Sequence, residues 1–214
     1  TYVWAESGSH ALMDNGLRGV LKTPQVCVVR AGEVCPGIGL DISRLCVVVR
    51  NGDAVKRYEL SDFEPARSEL IVRNNTVELL YAYEADGLQL RRKVVFPNSS
   101  GGADVYVEVE GKEVLEVWVG VDTPLASEEA YAGDRWVGFF DKAKMLGAVA
   151  VFDPEPYAVL GGEEGSYSIV FWGGDESFRA KISLLVFDAS KAEVREPKDW
   201  LEEMIEAKVG GGRK

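Results

Sequence analysis

The stretch that decides the fold is residues 68–96, SELIVRNNTVELLYAYEADGLQLRRKVVF. It predicts three strands joined by tight turns at Asn74-Asn75 and Asp86-Gly87, pairs that tolerate the positive φ of a type I′ hairpin. Two-residue loops fix the register. The first turn puts Val72 opposite Val77 and Leu70 opposite Leu79. The second puts Tyr83 opposite Leu90, Tyr81 opposite Arg92, Leu79 opposite Val94 and Val77 opposite Phe96. Both turns therefore assign the same residues to one apolar face: Leu70, Val72, Val77, Leu79, Tyr81, Tyr83, Leu90, Val94 and Phe96. A slip of one residue would scatter them over both faces.

Downstream, Val105, Val107 and Val109 alternate with Tyr106 and Glu108, and Leu115, Val117, Val119 and Val121 alternate with Glu116 and Trp118. Read as a second hairpin closed by Glu110-Gly111-Lys112, these segments present Tyr106, Glu108, Glu116 and Trp118 together on the opposite face. Further strands are expected at residues 26–30, 45–50, 55–60, 135–140, 146–152, 157–160, 167–172 and 179–187, punctuated by Asn51-Gly52-Asp53, Asp153-Pro154, Gly161-Gly162 and Gly173-Gly174. Strands without intervening helices point to antiparallel sandwich packing. One helix is expected near the C-terminus. Pro197 suits its first turn, Asp199 the positive end of its dipole, Trp200, Leu201, Met204, Ile205 and Val209 recur at helical spacing, and Gly210 suits its stop. The predicted class is an all-β protein, a large antiparallel β-sandwich of supersandwich type over residues 1–196. The helix (197–209) packs on it or links from it, and 210–214 form a flexible tail.

The 214 residues suffice for one self-contained core. A net charge of −11, from 35 acids and 24 bases, opposes phosphate backbones and anionic membrane surfaces, so neither nucleic acid nor membrane is an expected partner. The longest apolar runs, residues 45–49 and 148–152, fall far short of the roughly 20 residues a membrane helix needs. No signal-peptide pattern opens the chain, which begins at Thr1 without a Met, and a cytoplasmic location is expected. Two Gln (Gln25, Gln89) and five Asn, beside abundant Glu, Arg, Lys and Val, follow the trend of hyperthermophile proteins. Cys27, Cys35 and Cys46 form no CxxC pair, and His10 is the lone imidazole, so no structural zinc site and no cofactor are expected. The cysteines are read as buried or partly buried free thiols, or as a Cys27–Cys35 or Cys35–Cys46 bridge in a hyperthermophile.

Chemistry has few carriers. A Ser-His-Asp arrangement would need His10, and neither a nucleophile elbow nor a nucleotide fingerprint occurs; Gly37-Ile38-Gly39 lacks the later Gly. Five residues stand out as ligand-binding candidates. Trp118, Tyr106, Glu116 and Glu108 combine aromatic faces with carboxylates, the equipment for holding sugars, whose CH groups stack on rings while hydroxyls bond to acids. The same Trp118 is core packing if a second sheet or a helix covers that face. Glu108 and Glu116 would serve as a general acid and base only at the 5–10 Å separation that glycoside hydrolysis requires. Arg92 stands on the apolar face, where its head group either escapes to the sheet edge or an acid, or lines a cavity. Trp136, Trp172 and Tyr131 are loop-end aromatics whose meaning depends on whether they form a contiguous patch.

The opening Glu6-Ser7-Gly8-Ser9-His10-Ala11 leads into early strands. It is followed by the run from Phe63-Glu64-Pro65 through Leu80-Tyr81 to Arg91-Arg92-Lys93-Val94-Val95-Phe96-Pro97. This order resembles the N-terminal β-supersandwich domain of archaeal and bacterial glycogen-debranching and glucoamylase-like enzymes, over residues 5–190. That family's Arg-Tyr-His-Gly type segment has no counterpart at Leu17-Arg18-Gly19-Val20, and its helical barrel with the catalytic carboxylates is absent from the chain. The resemblance implies a non-catalytic accessory domain in carbohydrate (α-glucan) processing, with a carbohydrate ligand and a helical-barrel catalytic domain or subunit as partners. The alternatives are a stand-alone binding or assembly protein and a carboxylate-based sugar-modifying enzyme.

Overall fold

A computed structural model describes residues 2–7, 24–29, 38–42, 44–73, 76–97, 102–123, 129–161, 165–174 and 177–209; for 2–7, 24–29, 38, 39, 77, 96 and 97 only the backbone is described. The strands among these are β1 (Tyr2–Ser7), β2 (Pro24–Val29), β3 (Ile38–Asp41), β4 (Leu45–Asn51), β5 (Ala54–Glu59), β6 (Glu64–Val72), β7 (Thr76–Ala85), β8 (Leu88–Pro97), β9 (Gly102–Glu110), β10 (Glu113–Asp122), β11 (Glu129–Ala132), β12 (Trp136–Asp141), β13 (Leu146–Asp153), β14 (Ala158–Gly161), β15 (Ser166–Trp172) and β16 (Ser177–Asp188), followed by helix α1 (Pro197–Val209). Every pairing is antiparallel. The first sheet runs β1-β2-β3-β10-β15-β14, with β4 also on β10 and β5 outside β4; the second runs β11-β12-β13-β16-β9-β8-β7-β6. The expected antiparallel sandwich with one C-terminal helix is what forms.

The β6–β7–β8 register is the one the turns dictate: Val72↔Val77 and Leu70↔Leu79, then Tyr83↔Leu90, Tyr81↔Arg92, Leu79↔Val94 and Val77↔Phe96. Asp86 (φ 47°) and Gly87 (φ 80°) supply the two left-handed residues of the second turn. Asn74-Asn75 lies outside the described residues. The apolar face does line the core, with Leu79, Tyr81, Tyr83, Leu90 and Val94 at most 5% exposed. At the far end of β6 the expectation fails: Leu70 and Val72 are 51% and 71% exposed, because β6 is the edge strand and the core closes on β7, where Leu79 opposite Leu70 is buried. Pro65, a bulge between Pro65 and Arg67, and the charges of Arg67 and Glu69 keep this edge from recruiting another strand.

The larger correction concerns β9 and β10, which form no hairpin. β9 pairs with β8 and β16 in the second sheet, and β10 with β4, β3 and β15 in the first. Gly111 (φ 110°) and Lys112 turn the chain from one sheet to the other. Val105, Val107 and Val109 thus face Val117, Val119 and Val121 across the core rather than beside them, all at most 1% exposed. Rings of the two sheets meet at Phe139–Tyr167, Phe152–Phe171 and Phe178–Phe171, with centroids 5.6–5.9 Å apart. Helix α1 covers the outer side of the second sheet near β12, β13 and β16. There Trp200 meets Phe140 and Phe187 edge-on and Leu201 is fully buried. Trp136, expected at a loop end, belongs to this second cluster, with Tyr131 packed against it.

Candidate functional site

The corner at Gly111-Lys112 separates the four residues that the hairpin reading brought together. Tyr106 and Glu108 point outward from the second sheet, and Glu116 and Trp118 outward from the first. The sheets stack about 10 Å apart, and side chains on their outer faces diverge, so Glu108 and Glu116 cannot flank one glycosidic bond. The acid–base pair is excluded.

On the second sheet, Glu108 stands opposite Arg91 on β8 and Arg179 on β16, and Tyr106 opposite Lys93 and Lys181. The carboxylate ion-pairs with Arg179 at 3.0 Å and Arg91 at 3.9 Å, and the two lysine ammoniums lie about 6 Å from the Tyr106 ring. Lys181–Asp104 and Lys93–Glu78, both 3.0 Å, extend the ladder. Cross-strand placement of opposite charges accounts for this surface without a ligand.

Arg92 takes neither the edge nor a surface cavity. It is 1% exposed, on the core side of β8, and its Nη2 donates to the carbonyl oxygen of Ile42 at 2.6 Å. Burial lowers its pKa, while Tyr83, Tyr81 and Asp41 favour the cation. It ties the crossing between β3 and β4 to the opposite sheet, and no surface ligand can touch it.

On the first sheet Trp118 is half-buried on the outer face, between Cys46 and Val170, which are 3% and 2% exposed. Among the described residues neither the second sheet nor α1 lies over this face. The Trp118 Nε1 donates to Glu116 Oε2 at 2.7 Å, and the Arg57 guanidinium lies 5.7 Å from the ring centroid. Arg57 reaches there from β5 because β10, β4 and β5 align Trp118 with Cys46 and Cys46 with Glu59, and its Nε donates to Glu59 at 2.8 Å. The indole forms a wall of an open depression of about 370 Å³, lined also by Cys46, Glu59, Ser61, Gly120 and Ser168. Cys46 is a buried free thiol whose pKa burial pushes up to about 11, so it is protonated at neutral pH; a Cys35–Cys46 bridge is not formed. Cys35 and His10, and the Cys27 side chain, lie outside the described residues.

Gly120 shapes this floor. A Cβ there would come within 2.6–2.8 Å of the Arg44 side chain. The space lets Arg44 lie across β10 and bind Asp122 through two hydrogen bonds of 2.8 Å and Ser166 Oγ at 2.7 Å. Arg57, Glu59 and Gly120 escaped the sequence reading because only the β4–β5–β10 pairing brings them to Trp118. Among the described residues no group of three or more potential metal ligands occurs, and no helix is long and apolar enough to cross a membrane.

No protein-family model and no curated protein matches the sequence. Among solved structures the chain is similar to part of the α-N-acetylgalactosaminidase NagBb from Bifidobacterium bifidum, with a TM-score of 0.56 and 11% identity over 90% of this chain and 36% of that one. It also matches heparan sulfate lyase HepC from Pedobacter heparinus (TM-score 0.46, 13% identity, 60% and 22% covered). A third match is the α-galactosidase AgaA from Geobacillus stearothermophilus (TM-score 0.38, 8% identity, 78% and 32% covered). The chain spans about a third or less of the length of these proteins. The likeness is one of fold: a β-sandwich of this kind occurs as a region within a larger carbohydrate-processing enzyme.

Proposed function

We propose that this chain is a non-catalytic accessory β-sandwich in carbohydrate (α-glucan) processing, which packs with a helical-barrel catalytic domain or subunit and contacts sugar through the outer face of its first sheet. The observation that carries the reading is the outward Trp118 indole, fixed by Glu116 and Arg57 beside a depression lined with hydroxyls and a second carboxylate. An aromatic wall with a few placed polar groups suits a sugar. A carboxylate has about four lone-pair positions, so a Glu116 that accepts one indole N–H retains capacity for sugar hydroxyls. The separation of Glu108 from Glu116 supports the non-catalytic half of the proposal.

The test is affinity electrophoresis through gels containing soluble amylopectin, with reducing-end assays on the same mixtures. The proposal expects retarded migration, no new reducing ends, and loss of retardation in Trp118→Ala with far-UV circular dichroism and melting temperature unchanged. Unretarded wild-type protein contradicts sugar contact, and released reducing ends contradict the non-catalytic role.

A further inference from the structure

The outer face of the first sheet carries a second aromatic feature. Trp172, at the end of β15, stands directly opposite Glu116, and Trp118 stands opposite the next outward residue of β15, Val170. Trp118 and Trp172 are therefore diagonal neighbours on one face, with roughly 7–8 Å between their positions. Tyr157, just before β14, donates its backbone N–H to Val170 O at 2.8 Å, which sets its ring against Trp172 with centroids 4.2 Å apart and planes 40° apart. Both rings are 59% exposed. Two large aromatics fixed against each other yet left in water forgo burial worth roughly 25 cal/mol per Å². They stand on the same outer face as Trp118, one diagonal step away, so the aromatics are not isolated ones.

We propose that Trp172 and Tyr157 form a second ring platform of the Trp118 site, so that the face takes a neutral oligosaccharide of at least two linked pyranoses, with Glu116 accepting hydroxyl hydrogens between the platforms. The proposal rests on the reading of the Trp118 face as a sugar contact. Charge and desolvation set the ligand class. Glu116 and Glu59 flank Trp118, Arg57 is engaged with Glu59, and the whole chain carries −11, so an anionic polysaccharide approaches against the local and the net charge. An apolar protein surface laid over the same rings would desolvate Glu116 at the centre of the row with one indole N–H as compensation, whereas a sugar brings hydroxyl donors to it.

Isothermal titration of the full chain with maltose, maltotriose, maltohexaose and hexagalacturonate tests this. The expected result is affinity rising at least tenfold from maltose to maltohexaose, with hexagalacturonate the weakest ligand. Trp172→Ala should abolish the rise with chain length, and Trp118→Ala should remove binding of every sugar in the series. Tyr157→Ala serves as the second platform variant should Trp172→Ala lower the melting temperature by more than a few degrees. A length dependence that survives both platform variants, or preference for hexagalacturonate, overturns the two-platform site and leaves the Trp118 contact standing. Absence of heat with every sugar overturns the sugar reading itself.

Discussion

Two buried groups test the residue-scale account most sharply. Arg92 holds a cation inside the sandwich, bonded to Ile42 O and favoured by Tyr83, Tyr81 and Asp41. Truncation leaves both a void and an unsatisfied carbonyl, so Arg92→Ala should cost about 3–5 kcal/mol in urea unfolding. Arg92→Met fills the void but leaves the same carbonyl unsatisfied, so it should cost less than Arg92→Ala, about 1–3 kcal/mol; equal losses would mean the guanidinium's polar contacts, not its volume, matter here. Cys46 gives a pH prediction. Its folded pKa of about 11 lies above the roughly 8.5 of an unfolded thiol, so the folded state holds its proton more tightly. The stability linked to it is complete below about pH 8.5 and falls as pH rises towards 11, by about 1–3 kcal/mol. Tyr83, pushed up to about 12 by burial, continues the loss at higher pH. Cys46→Ala should flatten the decline between pH 8.5 and 11 in a pH series of chemical denaturations; an unchanged slope would show that Cys46 ionises as freely in the fold as in the unfolded chain.

At the scale of elements, the crossing of β10 by Arg44 depends on Gly120 having no side chain. Gly120→Ala should displace the guanidinium from Asp122 and Ser166 and destabilise by about 1–3 kcal/mol, more than Arg44→Ala, which gives up an exposed ion pair worth about 0–1 kcal/mol. Differential scanning calorimetry of the two variants checks the order, and the reverse order would contradict the role given to Gly120. The elements also show what was legible in the sequence. Residues 68–96 fixed their own pairing because two short turns overdetermine a register, and residues 197–209 announced a helix by their spacing. The segments 105–109 and 115–121 did not reveal their partners. Two strands that lie side by side in one sheet and two that face each other across a core show the same alternation of apolar residues, since parity records only which face is inward. Tyr106 and Glu108 were placed with Trp118 for that reason. Trp172 was legible as an exposed aromatic, but its adjacency to Trp118 follows from β10–β15 pairing, across about fifty residues of chain with no local signal.

For the whole molecule, the sandwich leaves two outer surfaces of different character. The second sheet is covered by α1 at one end and by an ion-pair ladder over β8, β9 and β16, where Arg91, Arg179, Lys93 and Lys181 neutralise the acids opposite them. The outer side of the first sheet carries the exposed Trp172 and Tyr157 and the half-buried Trp118 and Glu116. The proposed function places the glycan on this face and not on the ladder. The five tryptophans make it directly observable. In a ¹⁵N-labelled sample with indole signals assigned by single substitutions, titration with maltohexaose should shift the Nε1 signals of Trp118 and Trp172, while those of Trp136 and Trp200, in the cluster beneath α1, stay in place. Shifts confined to Trp136 and Trp200, or stationary Trp118 and Trp172 signals at a concentration that saturates binding, would contradict the account.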